Sequence, residues 1–311
     1  MKFARIVPIL LFAALPLLAA ERGVMIREAQ IYIQPATDSA KLSTVARGRE
    51  ATVLERINGW IHVTATVKEG GEFGDDRDVS GWIQDKGLIT PATPNGDQII
   101  YGEAFDSEYQ ASRRGGRKGA ADDAKRLYYR LYEYFPKSPL AGEALYRAAD
   151  IQWQIDREDV MTRASAKERD PSARPEIKEE LMKMVMKKFP GTKWADLAAF
   201  HLIDNKLCGD WQMEPKCPEK EAGMYEKYVD EHPNSPDVPE ALYNAAWRWS
   251  TLITIYPLVG DAKKAAEAKQ HSIEIAQRLI TKNANTDWTA RAQRLLYMVQ
   301  SGIPTIGNRI E

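Results

Sequence analysis

Two cysteines and four histidines are the residues of this 311-residue chain with the most distinctive chemistry. Cys208 and Cys217 bracket the segment "CGDWQMEPKC". Two cysteines closing a short loop that contains Gly and Pro suit a disulfide in an oxidising compartment. A zinc site completed by His201 and His232 is the competing use, but the gap between the cysteines is wide beside the roughly two to four residues of structural zinc sites. The histidines at 62, 201, 232 and 271 show no H-E-x-x-H spacing, and neither cysteine has a recognisable nucleophile setting. Acidic residues are abundant, and a pair of hydrolytic carboxylates among them stays open as an alternative. "SRRGGRKGAADDAK" carries Gly and Lys without the spacing of a phosphate-binding loop, and reads as a basic linker. The expectation is a non-enzymatic chain with no cofactor and no metal.

Aromatic residues supply the other candidates. Tyr32, Trp60 and Trp82 fall in strand-like segments, either as barrel packing or as the lining of a groove. In "AAWRWS", Trp247 and Trp249 are two apart and cannot share a helix face, so one of them is a candidate partner contact. By contrast, Tyr128, Leu131, Tyr132 and Phe135 fall on one helical face and are expected in a core.

The order along the chain shows which elements must hold these residues. Residues 1–20 combine Lys2 and Arg5 with an apolar run ending at Ala19-Ala20, the pattern of a secretory signal cleaved near Ala20. Glu21 follows where a lipoprotein would carry Cys, so no lipid anchor is expected and the protein is read as periplasmic or otherwise exported. A formal net charge of −1 gives no basic excess for nucleic acid. Residues 21–91 alternate β-branched and polar residues between turns. Asn58-Gly59 marks a type I′ hairpin, and alternation puts Trp60, His62, Thr64 and Thr66 on one face and Ile61, Val63, Ala65 and Val67 on the other. "GDDRD", at 74–78, lacks calcium-loop spacing and reads as a solvated hairpin tip.

These residues resemble a bacterial SH3 (SH3b) domain. Val45, Gly48, Val53-Leu54, Gly59-Trp60, Val63 and Gly81-Trp82-Ile83 match its pattern. The sequence departs from it in the longer segment "KEGGEFGDDRDV" and in Gln34, where the pattern has Arg. The resemblance implies a small β-barrel whose groove, lined by Tyr32, Trp60 and Trp82, takes a peptide or a peptidoglycan component.

After a linker and leading helix at 92–120, residues 121–300 are repetitive. Pro136, Pro190, Pro233 and Ala284 are each followed eight residues on by Ala144, Ala198, Ala241 and Ala292. Tyr146, Phe200 and Tyr243 follow the three prolines by ten, with Arg294 in the fourth window. Each unit reads as a helix hairpin: the residue before Pro leaves the α region, and Ser138, Thr192, Ser235 or Thr286 helps start the next helix. The windows resemble tetratricopeptide (TPR) repeats of the kind in the outer-membrane assembly lipoprotein (BamD) and Tol-Pal accessory (YbgF/CpoB) families, although the anchors lie 54, 43 and 51 residues apart against a TPR period of about 34. That resemblance implies an α-solenoid with a protein partner on its surface. Residues 301–311 are a tail.

The sequence thus predicts an α+β, multidomain, exported adaptor: an SH3-like β-barrel followed by a TPR-like α-solenoid. A cell-wall hydrolase, or its regulatory subunit, targeted by the barrel is the alternative.

Overall fold

The computed structural model describes residues 20–68, 75–168, 173–284 and 286–306. The secretory-signal segment, apart from Ala20, the residues at 69–74 and the end of the tail lie outside them. Strands and helices are segregated along the chain. Seven strands come first: β1 (Arg22–Met25), β2 (Ala29–Tyr32), β3 (Lys41–Val45), β4 (Glu50–Ile57), β5 (Trp60–Lys68), β6 (Asp76–Gln84) and β7 (Leu88–Ile89). Nine α-helices follow among the described residues: α1 (Gly96–Ser112), α2 (Ala120–Tyr134), α3 (Ala141–Thr162), α4 (Glu180–Lys188), α5 (Lys193–His201), α6 (Lys216–Glu231), α7 (Val238–Leu258), α8 (Ala262–Lys282) and α9 (Asp287–Gln300). Backbone proximity divides the chain into two compact units, Met1–Gly96 and Asp97–Glu311. No helix among the described residues is long and apolar enough to cross a membrane.

The strand unit is one curled antiparallel sheet in the order β3-β2-β6-β5-β4-β1-β7. Its core contains Met25, Ile31, Val45, Ile61, Val63, Val67 and Ile83. These are the inward members of alternating strands, as a half-buried sheet requires. Asn58 and Gly59 both have positive φ, 44° and 79°, as the type I′ reading of that turn demands. Gly81 is fixed by packing, since a Cβ there would lie 2.6 Å from the Tyr32 carbonyl oxygen. Of the extra length before Gly81, the described part from Asp76 on is strand: Lys68 pairs with Asp76 and Thr66 with Asp78, which moves Asp76–Asp78 of the expected tip into β6, while Gly74 lies outside the described residues.

In the helical unit, α2/α3, α4/α5, α6/α7 and α8/α9 pack as consecutive hairpins. The first helix of each ends in the same conformation, at Phe135 (φ −126°, ψ 57°), Phe189 (−129°, 51°), His232 (−128°, 55°) and Asn283 (−127°, 44°). Each of these residues donates its N–H to the carbonyl four residues back. Three of them precede Pro, which disfavours the α region, but Asn283 precedes Ala284, so proline alone does not set the turn. Ala144, Ala198, Ala241 and Ala292 are all 0% exposed, consistent with small residues where helices approach closely.

The start of the second helix differs between units. Thr192 and Thr286 accept from the N–H three residues on, as N-caps. Ser138 and Ser235 do not cap in this way. Pro139 and Pro236 follow them, a turn intervenes, and their hydroxyls accept from the N–H two residues on, at 3.2 Å. Hairpins one and three therefore share one start and hairpins two and four another. "EALYRAA" at 143–149 recurs as "EALYNAA" at 240–246, 97 residues later. The contacts repeat with it: Tyr146 packs on Trp194 at 5.5 Å and Tyr243 on Trp288 at 5.4 Å. The larger period is a double hairpin, which accounts for the uneven anchor spacing.

Candidate functional site

The outer face of the sheet brings the three predicted barrel aromatics together. Along β5, Ile61, Val63, Ala65 and Val67 are buried, while Trp60, His62, Thr64 and Thr66 are only partly covered. Register places His62 opposite Trp82, and Trp82 opposite Tyr32. Directly opposed residues in an antiparallel pair share a face, so the four rings form one surface. Tyr32 meets Trp60 edge-on with centroids 5.5 Å apart, and His62 stacks on Trp82 at 4.9 Å with 17° between the planes. Ile57, 38% exposed and opposite Trp60, extends the apolar surface.

Polar pairs continue that face along the hairpin. Thr64 and Ser80 hydroxyls are 2.7 Å apart, and the Thr66 hydroxyl donates to Asp78 at 2.6 Å. Stacking surfaces beside hydroxyl and carboxylate groups are suited to recognition. His62 is the member that sequence reasoning left out of the site, although its alternation with Trp60 and the Asn58-Gly59 hairpin carried the signal.

The two helical tryptophans are held by contacts within the chain. Trp247 packs on Trp211 with centroids 5.3 Å apart. Trp249 donates its Nε1–H to Glu226 at 2.6 Å and meets His271 edge-on at 4.8 Å. Both remain partly exposed, on different sides of α7. Cys208 and Cys217 form a disulfide, which takes both sulfurs from the zinc alternative. His201 instead lies 3.2 Å from Asp150, and His232 is 2.8 Å from Asp196. No group of three or more His, Cys, Asp or Glu side chains among the described residues is arranged to hold a metal ion.

Ahead of α6, the disulfide loop is anchored on a buried ion pair. Glu221 and Arg248 are 1% and 6% exposed, and Arg248 Nε donates to Glu221 at 2.7 Å. The other Glu221 oxygen accepts from the Cys208 N–H at 2.7 Å and from Trp211 Nε1–H at 3.1 Å. Three donors, one of them the Arg248 cation, satisfy the carboxylate, as a buried charge requires.

Carboxylates with raised pKa values occur just after α5, at Asp204, and at the start of α7, at Asp237 and Glu240. Burial pushes Asp204 up against the opposing charges of Arg157 and His201. Asp237 is raised by burial, with His201 opposing and Asp150 adding to it. Glu240 is raised by burial and then by Asp237 and Asp204. A cavity of about 330 Å³ lies elsewhere, between Asp156, Arg163 and Glu176, and none of these three raised carboxylates lines it.

No protein-family model matches the chain, and no curated protein matches it. Among solved structures, it is similar to designed helical-repeat proteins. The "DHF79 filament" shares 14% identity over 65% of this chain and 96% of its own, with a TM-score of 0.23. The de novo designed helical repeat protein DHR64 shares 14% over 69% and 97%, and the "DHF119 filament" 15% over 69% and 98%, both with the same TM-score. A likeness of that degree assigns this chain to no family.

Proposed function

We propose that this protein is an exported, non-catalytic adaptor of the cell envelope. Its strand unit, read as an SH3-like barrel, binds a peptide or peptidoglycan component through Tyr32, Trp60, His62 and Trp82. Its helical unit, read as a TPR-like solenoid, holds a protein partner. The observation that carries the proposal is the outer aromatic face. Four rings share one side of a sheet whose opposite side already supplies the core, so core packing does not account for them. Aromatic groups at a partly exposed surface provide large contact area at small conformational cost.

Co-sedimentation of the full chain with isolated peptidoglycan tests this. The chain is expected in the pellet, with the Trp60→Ala and Trp82→Ala variants left in the supernatant. A wild-type chain left in the supernatant would remove the assignment to the wall, and variants that pellet as fully as the wild type would remove the assignment to the aromatic face.

The raised carboxylates Asp204, Asp237 and Glu240 favour one second reading, a peptidoglycan hydrolase or its regulatory subunit, because titrating groups of perturbed pKa concentrate at catalytic sites. Release of soluble muropeptides by the purified chain, abolished in Asp237→Asn or Glu240→Gln, would establish it in place of the adaptor.

A further inference from the structure

The loop closed by Cys208 and Cys217 covers a tryptophan, is anchored on a buried carboxylate and holds a backbone conformation that its residues disfavour. Gln212 and Met213 are consecutive non-glycine residues with positive φ, 48° and 60°. Side chains at such values meet the adjacent carbonyl oxygen, and two in succession persist only where surrounding structure imposes them. Three constraints impose them here. The disulfide fixes the ends of the loop. Glu221 accepts from the Cys208 N–H and from the Trp211 indole. Trp211 lies on Trp247. At its N-terminal end the loop is also seated closely, since a Cβ on Gly209 would lie 2.6 Å from the Glu168 carbonyl oxygen.

We infer that Cys208–Cys217 is a reducible latch, a site of thiol–disulfide exchange with a dithiol reductant that uncovers Trp247 and the Glu221–Arg248 pair. Neither cysteine is buried, so an attacking sulfur can approach. One thiolate of the reductant attacks a sulfur of the pair, the S–S bond breaks, and the displaced cysteine leaves as a thiolate and takes a proton. The second thiol of the reductant then attacks the mixed disulfide and frees the other cysteine. The chain gains two electrons and two protons, and the reductant leaves as its own disulfide.

Without the covalent closure, Gln212 and Met213 relax to negative φ, and the loop withdraws Trp211 from Trp247. Glu221 then keeps Arg248 as its partner and exchanges the two loop donors for water. The helices remain in place, because the core around Tyr225, Tyr228, Leu242 and Ala245 does not include the loop. The latch therefore changes one surface rather than the fold.

Hydrogen–deuterium exchange on the full chain, before and after dithiothreitol under native conditions, tests the inference. Peptides spanning 205–217 should lose protection by at least roughly ten-fold in rate, and Trp247 should become accessible to an aqueous fluorescence quencher. Peptides within α3, α6 and α8 should keep their protection, and a Cys208→Ser, Cys217→Ser double variant should reproduce the reduced pattern. Trp211→Ala, with the disulfide intact, should expose Trp247 and leave the Cys208 amide protected. Three results would overturn the inference: a bond that native-state reductant leaves intact, unchanged exchange in 205–217 after reduction, or loss of protection throughout α6 and α7, which would make the disulfide a general staple.

Discussion

At the scale of single residues, the ion pairs of the helical unit make two testable claims. Glu221→Ala leaves Arg248 buried without its counter-charge and is expected to cost about 3–5 kcal/mol in urea unfolding. Glu221→Gln, which keeps an oxygen acceptor for Cys208 and Trp211, should cost less. The second claim concerns His271 and Glu226, 3.0 Å apart. The hydrogen bond to Glu226 raises the His271 pKa above the ordinary imidazole value, with burial opposing. Burial pushes Glu226 up, but hydrogen bonds from His271 and Trp249 bring it below the usual carboxylate range. The histidine's contribution to stability is therefore fully present below its unfolded pKa, about 6.5, and is lost as pH rises through the raised folded value. The carboxylate's contribution is present above its unfolded pKa and is lost as pH falls through the depressed one. NMR titration of His271 should show the raised value, and Glu226→Gln should return it toward the ordinary one; an unchanged titration in the variant would refute the pairing. Neither partner was legible in the sequence, because α6 and α8 bring together residues 45 positions apart.

At the scale of elements, the repeated turn was legible and its consequences were not. Pro136, Pro190 and Pro233 announced the ends of three helices, and the buried alanines announced where the next would pack. The sequence also suggested four equivalent helix starts, and the structure has two kinds. Thr192→Ala and Thr286→Ala should each destabilise by about 1 kcal/mol in thermal or urea unfolding, the usual loss of an N-cap. Equal losses at all four positions would contradict the distinction. The double-hairpin period is written in the sequence as the recurrence of "EALYRAA" as "EALYNAA", and what the sequence could not give is that Tyr146 and Tyr243 meet Trp194 and Trp288 across a hairpin boundary. In the sheet, strict alternation along Trp60–Val67 with one Asn-Gly turn was enough to separate the two faces, and the structure shows that the Ile61–Val67 set is the inner one. What alternation could not give was register, and register places Tyr32 and His62 beside Trp82.

At the scale of the whole molecule, two units with separate cores carry two kinds of surface. The strand unit presents stacked rings on the outside of its sheet. The helical unit spends its tryptophans on internal contacts and adds one covalent closure between α5 and α6. In the chain-entropy account, a loop of this size contributes about 2–3 kcal/mol, so the reduced chain should unfold at lower urea concentration while retaining its helical circular dichroism in native buffer. Loss of that signal on reduction would contradict the account of a local closure. The proposal that the outer face of the sheet is a binding surface is tested most directly by titrating soluble peptidoglycan fragments into the ¹⁵N-labelled chain and following the indole N–H resonances. The signals of Trp60 and Trp82 are predicted to shift in a saturable manner while that of Trp249, donated to Glu226, stays in place. Fragments that leave Trp60 and Trp82 unmoved at saturating concentration would contradict the proposal.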